Sequence, residues 1–556
     1  MNRMYRVIKR DGQSVDFDLA KVSSAISRAF DAVNRHYHRS VIDLLSLRVC
    51  ADFEKKIKDD AIAVEDIQDS VEKTLINADF ADVAKAYILY RKQREKARNV
   101  SNSMMDYREM VNSYVSGRTA DFSGSLSDFV AGNSSLITAN YWLMDVYNQE
   151  IVQAQRDGLL SIHDLGYLAA DRSGWSIEEL LRKGIDFRVI SLPAKHLRVL
   201  CDQLVRFFLM MENEWAGAQT FCHFDTYLAP FVKKEELSYK EVKNCLESFV
   251  FGINTICFKD HYFSIVLDFT ANPKLYDKPC IVGGEEQDFT YGDCLKEQQL
   301  ICKAFLEVLL EGDGSKKPFG SPLAVIDLQE GFIANENLDL VIALVKKGIP
   351  IYFINKGLSD GCFFLSDEKR GSLGTVSIDL LAIGARSGDA ASFYKLLKDV
   401  ITLAKESLLL KKDVLCKLFA NGFYPYTQAF LGDFSQHLLS ICLKGLYDFE
   451  AQSNYQLAAD EVLSFVKEQL DERFLITMAA SPALRKNTTE DANTKYTGQD
   501  YAVNGDLFAD LDRSAIYSAY LDAFMDIAVA KSDAASLKAL LKLIFDNYAL
   551  KYFCFR

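Results

Sequence analysis

Four short apolar runs recur through the C-terminal two-thirds of the chain: SIVLDF (264–269), SPLAVIDL (321–328), IPIYFIN (349–355) and GTVSIDLLAI (374–383). Each has the length of a buried strand rather than of a helix. Amphipathic helical patterns separate them, such as NENLDLVIALVKKG (335–348) and SFYKLLKDVITLAKESLLLKKDVLCKLF (392–419). Strands that are apolar throughout must be covered on both faces, and helices that return the chain between them leave successive strands parallel. The pattern therefore predicts an α/β domain with a largely parallel sheet. At 556 residues the chain is too long for one ordinary core, so a second, smaller domain is expected.

The balance of 64 basic against 77 acidic residues, a net charge of -13, argues against general binding to nucleic acid or to an anionic membrane. It leaves room for a local basic pocket. The opening MNRMYRVIKRDG lacks the apolar core of a signal peptide, and no apolar stretch reaches the length of a membrane span. The expectation is a cytoplasmic protein with no direct nucleic-acid or membrane binding. Twelve cysteines are scattered singly from Cys50 to Cys554 without a CxxC pair, which fits neither a disulfide scaffold nor a sulfur-ligated zinc site.

The front of the chain concentrates its cations. YRVIKR reads as a short strand, Asp11-Gly12 as a two-residue hairpin turn and SVDF as the return strand. Asp18 is placed to cap a helix from Leu19 through KVSSAISRAF, which gathers Lys9, Arg10 and Lys21 near one helix N-terminus, a good seat for polyphosphate. A solvated hairpin face with ordinary surface lysines accounts for the same residues by composition alone. The wording Val7-x-Lys9-Arg10-Asp11-Gly12, then Phe17-Asp18-x-x-Lys21, resembles the ATP-cone, a small α+β regulatory domain at the N-terminus of many ribonucleotide reductases. A helical pattern carrying Tyr87 and Arg91 closes the module near residue 97. The resemblance implies that Val7, Lys9, Arg10, Lys21 and Arg91 contact ATP or dATP. It also implies that the two nucleotides bias different global states, which is what allosteric control requires.

A polar stretch at 98–130 reads as a linker, and the large domain as residues 131–556. Within it LLSIHDLGYL (159–168, with His163 and Asp164), LPAKHL, NEWAGAQTFCHFDTYLAPF (213–231), AFLEVLLEGDG, RGSLGTVSIDL and NGFYPYT follow in order. These segments resemble the anaerobic (class III) ribonucleoside-triphosphate reductases, which are glycyl radical enzymes. Taken by themselves, His163-Asp164 also fit a helix cap with a core histidine, and Trp215-Ala-Gly-Ala fits close backbone packing. The resemblance implies a ten-stranded α/β barrel, usually in a homodimer. It further implies conversion of ribonucleoside triphosphates to deoxyribonucleoside triphosphates for DNA synthesis by thiyl radical chemistry, with formate as reductant. A radical S-adenosylmethionine enzyme serves as activating partner in the family. Cys362, between a strand and the Arg-Gly-x-x-Gly segment, stands at the place of the thiyl cysteine.

Departures from the family wording are concentrated where its chemistry lies. The second cysteine, expected just before Gly174-Trp175, is replaced by Arg172 or Ser173 in LAADRSGWSIEELL. Phe363 follows Cys362 in place of arginine. NTICFKDHYFSIVLDF (254–269) lacks the family's glycine-rich stretch, SPLAVI replaces Phe-Pro-Ile-Pro-Thr, and DYAVNG (500–505) replaces Tyr-Thr-Asn-Ser. SLKALLKLIFDNYALKYFCFR resembles the approach to the family's zinc site and glycyl radical loop, and the sequence ends at Arg556 before either. The expectation is a chain that is inactive by itself, its C-terminal piece encoded separately or lost by truncation, or alternatively a non-catalytic ATP/dATP-binding relative with a regulatory role.

Overall fold

The computed structural model describes residues 6–8, 14–33, 35–57, 61–89, 91, 111–112, 126–187, 189–256, 263–355, 371–447, 449, 457–478, 507–527, 529 and 532–555, with the side chains of 126–129 and 256 excepted. It divides into two compact units, Met1–Ser125 and Leu126–Arg556.

In the first unit, strands β1 (Arg6–Ile8) and β2 (Ser14–Asp16) pair antiparallel, and β3 (Ala61–Ala63) adds to β1 in parallel. Helix α1 (Leu19–Ala32) starts where the sequence predicts, because the Asp18 carboxylate accepts the Ala20 N–H at 2.9 Å. Helices α2 (Arg39–Phe53) and α3 (Val64–Asn77) complete the layer. Val7, Ile26, Phe30, Val49, Phe53 and Leu75 form its core. Among the described residues the pairing runs from Arg6 opposite Asp16 to Ile8 opposite Ser14. The turn expected at Asp11-Gly12 lies outside the described residues.

The second unit is built on a sheet of eleven strands among the described residues. Strands β5 (Arg172–Trp175), β6 (Gln219–Phe221), β7 (Phe263–Leu267), β10 (Leu323–Leu328) and β11 (Ile351–Asn355) lie side by side, all parallel. On one side β5 meets β12 (Gly371–Asp379) antiparallel, and β13 (His437–Lys444) and β14 (Phe474–Met478) continue parallel to β12. On the other side β11 meets β16 (Tyr552–Phe555) antiparallel, with β15 (Met525–Ile527) parallel to β16. The Asp522 N–H, just before β15, donates to the Ile476 carbonyl of β14 at 2.8 Å and brings the two ends of the path together. Ten strands lie on that path, and β4 (Leu160–Ile162) pairs with β12 beside it. A separate hairpin joins β8 (Pro279–Val282) to β9 (Glu285–Thr290).

Residues paired in register share a face of the sheet. On the outer face Ile265, Ile326, Phe353, Val376 and Ile441 join the main core with helices α4 (Leu197–Met211), α5 (Phe224–Glu235), α6 (Tyr239–Ile256), α7 (Leu295–Glu311), α8 (Leu338–Lys346) and α9 (Ala390–Ala420). On the inner face Cys222, Val266, Val325, Tyr352, Ile354, Phe524, Tyr552 and Cys554 form a second cluster. Phe524 packs between Tyr352 and Tyr552, with ring centroids 5.2 and 5.4 Å away. The run GTVSIDLLAI is not one strand. β12 stops at Asp379, whose carboxylate accepts the Ala382 N–H and caps a short helix, Leu380–Arg386. A helix also begins at Leu126, within the polar stretch read as linker. Among the described residues no helix is long and apolar enough to cross a membrane.

Candidate functional site

At the β5–β12 junction Arg172 stands opposite Ser372 and Ser173 opposite Gly371, so the two neighbouring side chains leave on opposite faces. Arg172, 3% exposed, shares the inner face with Thr375 and Ser440. Its guanidinium donates to Ser440 Oγ at 3.1 Å and Thr375 Oγ1 at 3.4 Å, and lies 3.5 Å from Asp171 Oδ2. Thr375 Oγ1 in turn donates to Asp171 at 2.7 Å, and Ser440 Oγ to Ser372 Oγ at 2.7 Å. A buried cation persists only when paired and hydrogen-bonded in this way. Ser173 contacts His437 Nε2 on the other face at 3.0 Å, and that ring packs on Trp215 with centroids 5.2 Å apart.

His163 is no helix cap. Its backbone N–H donates to the Thr375 carbonyl at 3.0 Å, and its Nε2 is 2.6 Å from Ser377 Oγ. Burial, with Lys444, Lys411 and Arg172 nearby, pushes this imidazole down to about 3, so it is neutral. Asp164 sits in left-handed backbone, φ 57°. The Trp215-Ala-Gly-Ala run is backbone packing: the Ala216 and Gly217 N–H groups donate to the Ala170 and Asp171 carbonyls at 2.8 and 2.6 Å.

A second constellation, not anticipated from the sequence, occupies the C-terminal ends of β6, β7 and β10, where parallel sheets usually present their ligands. His223, left-handed at φ 57°, precedes α5 and directs Nδ1 to Asp268 Oδ1 at 2.7 Å. Asn272 donates to the same oxygen at 2.9 Å, and Thr226 Oγ1 donates to Asp268 Oδ2. Beneath them Asp225 accepts from the Asp268 and Phe269 N–H groups (2.8 and 3.0 Å), from Gln298 Nε2 (2.9 Å) and from Cys302 Sγ (3.2 Å). The His223 side chain is 19% exposed and its Nε2 makes no hydrogen bond among the described residues. Burial by itself lowers the imidazole, but the charge and hydrogen bond of Asp268, with Asp327 and Asp225 behind, hold it above its ordinary value. Backbone strain together with a carboxylate-oriented histidine marks functional sites more often than structural ones. The only sequence signal was an acid closing the apolar run SIVLDF; nothing local pairs it with a histidine on another strand.

A histidine raised above its unfolded value contributes stability that is complete below the unfolded pKa, near 6.5, and is lost as pH rises through the folded value. His223→Gln is therefore expected to cost most below pH 6.5, with the gap to the unmodified chain narrowing toward pH 9 in thermal unfolding. A gap independent of pH would contradict the His223–Asp268 ion pair.

Of the residues expected to hold nucleotide, Val7 is buried in the core of the first unit, Lys21 is exposed on the first turn of α1, and Arg91 pairs with Asp69 and Glu72 of α3 at 2.8 and 2.9 Å. Lys9, Arg10 and Cys362 lie outside the described residues.

Comparison with known proteins decides the family. The model of the anaerobic ribonucleoside-triphosphate reductases matches residues 120–473, more than half of the chain, and that of the ATP cone domain matches residues 5–96. The chain belongs to the anaerobic ribonucleoside-triphosphate reductase family. The anaerobic reductase of Salmonella typhimurium is 22% identical over 477 residues, covering 72% of this chain and 62% of its own length. That of Haemophilus influenzae is 23% identical over 73% and 62%. The chain thus spans 62% of the length of each of these two reductases. Over 98 residues the chain is 42% identical to the alpha subunit of a ribonucleoside-diphosphate reductase from Chlamydia pneumoniae, 16% of this chain and 9% of that one. Among solved structures the anaerobic reductase of Thermotoga maritima, with citrate in its active site, superposes with a TM-score of 0.65 over 83% of this chain and 98% of that one, at 16% identity. The second unit therefore has the reductase fold, and the first is an ATP-cone.

Proposed function

We propose that this chain senses ATP and dATP through its cone and does not reduce ribonucleotides on its own. The observation that carries the second half is Arg172-Ser173 on β5. In the family a pair of facing cysteines passes a hydrogen atom and electrons at the barrel centre, the first of them at the place of Cys362 here. At the place of the second stand a guanidinium and a hydroxyl, neither of which forms a thiyl radical. Arg172 is also committed, since Thr375, Ser440 and Asp171 hold it inside the barrel.

The cone reading draws support from the match over residues 5–96 and from Lys21 on the first turn of a capped helix, where backbone N–H groups and the helix dipole favour phosphate. Lys9, Arg10 and Lys21 are assigned to the phosphates, and Arg91 would exchange its carboxylate partners for nucleotide. ATP or dATP at about a hundredfold excess over Kd is expected to stabilise the cone by about 2–3 kcal/mol, read as a thermal shift of the full chain. Lys9→Ala with Lys21→Ala is expected to abolish it; no shift with either nucleotide would remove the assignment. For catalysis, the full chain with ribonucleoside triphosphates, formate and a radical S-adenosylmethionine activating enzyme is expected to yield no deoxyribonucleotide. Any turnover would overturn the reading.

A further inference from the structure

Lys411 of α9 is 2% exposed, and its ammonium has no hydrogen-bond partner among the described residues. No acid there comes within ion-pair distance of it. Its stem crosses β12 at Gly374, where a Cβ would lie 2.9 Å from Lys411 Cδ and 3.4 Å from Cε. This is the irregular part of β12. Its pairing with β5 ends at Ser372, its pairing with β4 begins at Val376, and the register against β13 shifts between Ser372 and Thr375. The chain between those partners crosses here, with the His163 and Asp171 N–H groups donating to the Thr375 and Leu373 carbonyls. Lys411 is thereby brought near enough to His163 and Asp164 to act on both electrostatically.

Among the described residues neither neighbouring acid forms an ion pair with it. Asp171 is taken by Thr375 and Arg172. Asp164 is 5% exposed and accepts no side-chain hydrogen bond among the described residues. His163 is engaged by Ser377. Arg172 and Lys444, also buried, add positive charge to the same region. An ammonium removed from water without a counter-charge is strongly unfavourable. Water could accept its hydrogen bonds but would leave the charge.

We infer that Lys411, with Asp164 beside it, forms a binding site for a small oxyanion, a carboxylate or a phosphate, at the break in β12 between its pairings with β5 and β4. Burial pushes the Asp164 carboxyl up to about 7, so near neutrality it can donate a hydrogen bond to such a ligand rather than repel it. The site is separate from the cone and does not depend on the nucleotide reading.

The test is thermal unfolding of the full chain, titrated with acetate or with phosphate against chloride at constant ionic strength. Expected is a saturable stabilisation by at least one: acetate alone assigns a carboxylate, phosphate alone a tetrahedral oxyanion. Lys411→Met removes the charge while keeping the stem. It is expected to raise the transition in chloride and to weaken the anion response by more than about tenfold. Lys411→Gln repeats the test should the methionine chain fail to fold. Asp164→Asn, which removes the competing acid and keeps the ammonium, is expected to lower the half-saturating concentration. No saturable response in the unmodified chain overturns the site in favour of water. A response that survives Lys411→Met places the anion elsewhere, the cone included, and also overturns it.

Discussion

Arg172→Met is expected to destabilise the second unit by about 3–5 kcal/mol, because it leaves Asp171 buried and short of its cation. Methionine approximates the length of the arginine stem, so the loss reports charge and hydrogen bonding more than packing. Thr375 Oγ1 would still reach Asp171 at 2.7 Å, but Ser440 would lose the guanidinium donor at 3.1 Å. Adding Asp171→Asn removes the stranded charge and is expected to restore part of the loss, the signature of a coupled pair. Denaturant unfolding measures both through the transition midpoint at unchanged slope. A loss below about 1 kcal/mol for the single substitution would mean that the guanidinium is solvated rather than locked, and would reopen the barrel centre to chemistry.

Asp225→Ala is expected to cost about 2–5 kcal/mol, since four donors lose their acceptor at a fully buried position. Two of those donors, the N–H groups of Asp268 and Phe269, hold the turn after β7, where Phe269 is left-handed at φ 62°. The substitution should therefore act on His223 without touching it. As Asp268 loosens, the His223 imidazole is expected to fall toward its ordinary value, followed by NMR titration. Asp225→Asn, which keeps one acceptor oxygen, is expected to cost less and to move His223 less. Destabilisation with an unmoved His223 would make Asp225 a packing residue and uncouple the two tiers.

The strands were legible because each is a local pattern. SIVLDF, SPLAVIDL and IPIYFIN became β7, β10 and β11, and Asp18 caps α1, since apolar runs and caps are decided by near neighbours. The break inside GTVSIDLLAI was not legible. Asp379 ends the strand by capping a helix, a competition that an apolar run does not reveal.

What the order of residues determined by itself was the alternation of strands and helices, the cone at the front, and the absence of a cysteine at Arg172-Ser173. Tertiary structure alone decided that Arg172 is clamped by Asp171, Thr375 and Ser440, that His223 meets Asp268, and that Lys411 arrives over Gly374 without a partner among the described residues. The reason is physical. Those groups come from strands and helices separated by as many as 268 residues, and hydrogen bonds and charges act over a few ångströms of space, whatever the distance along the chain.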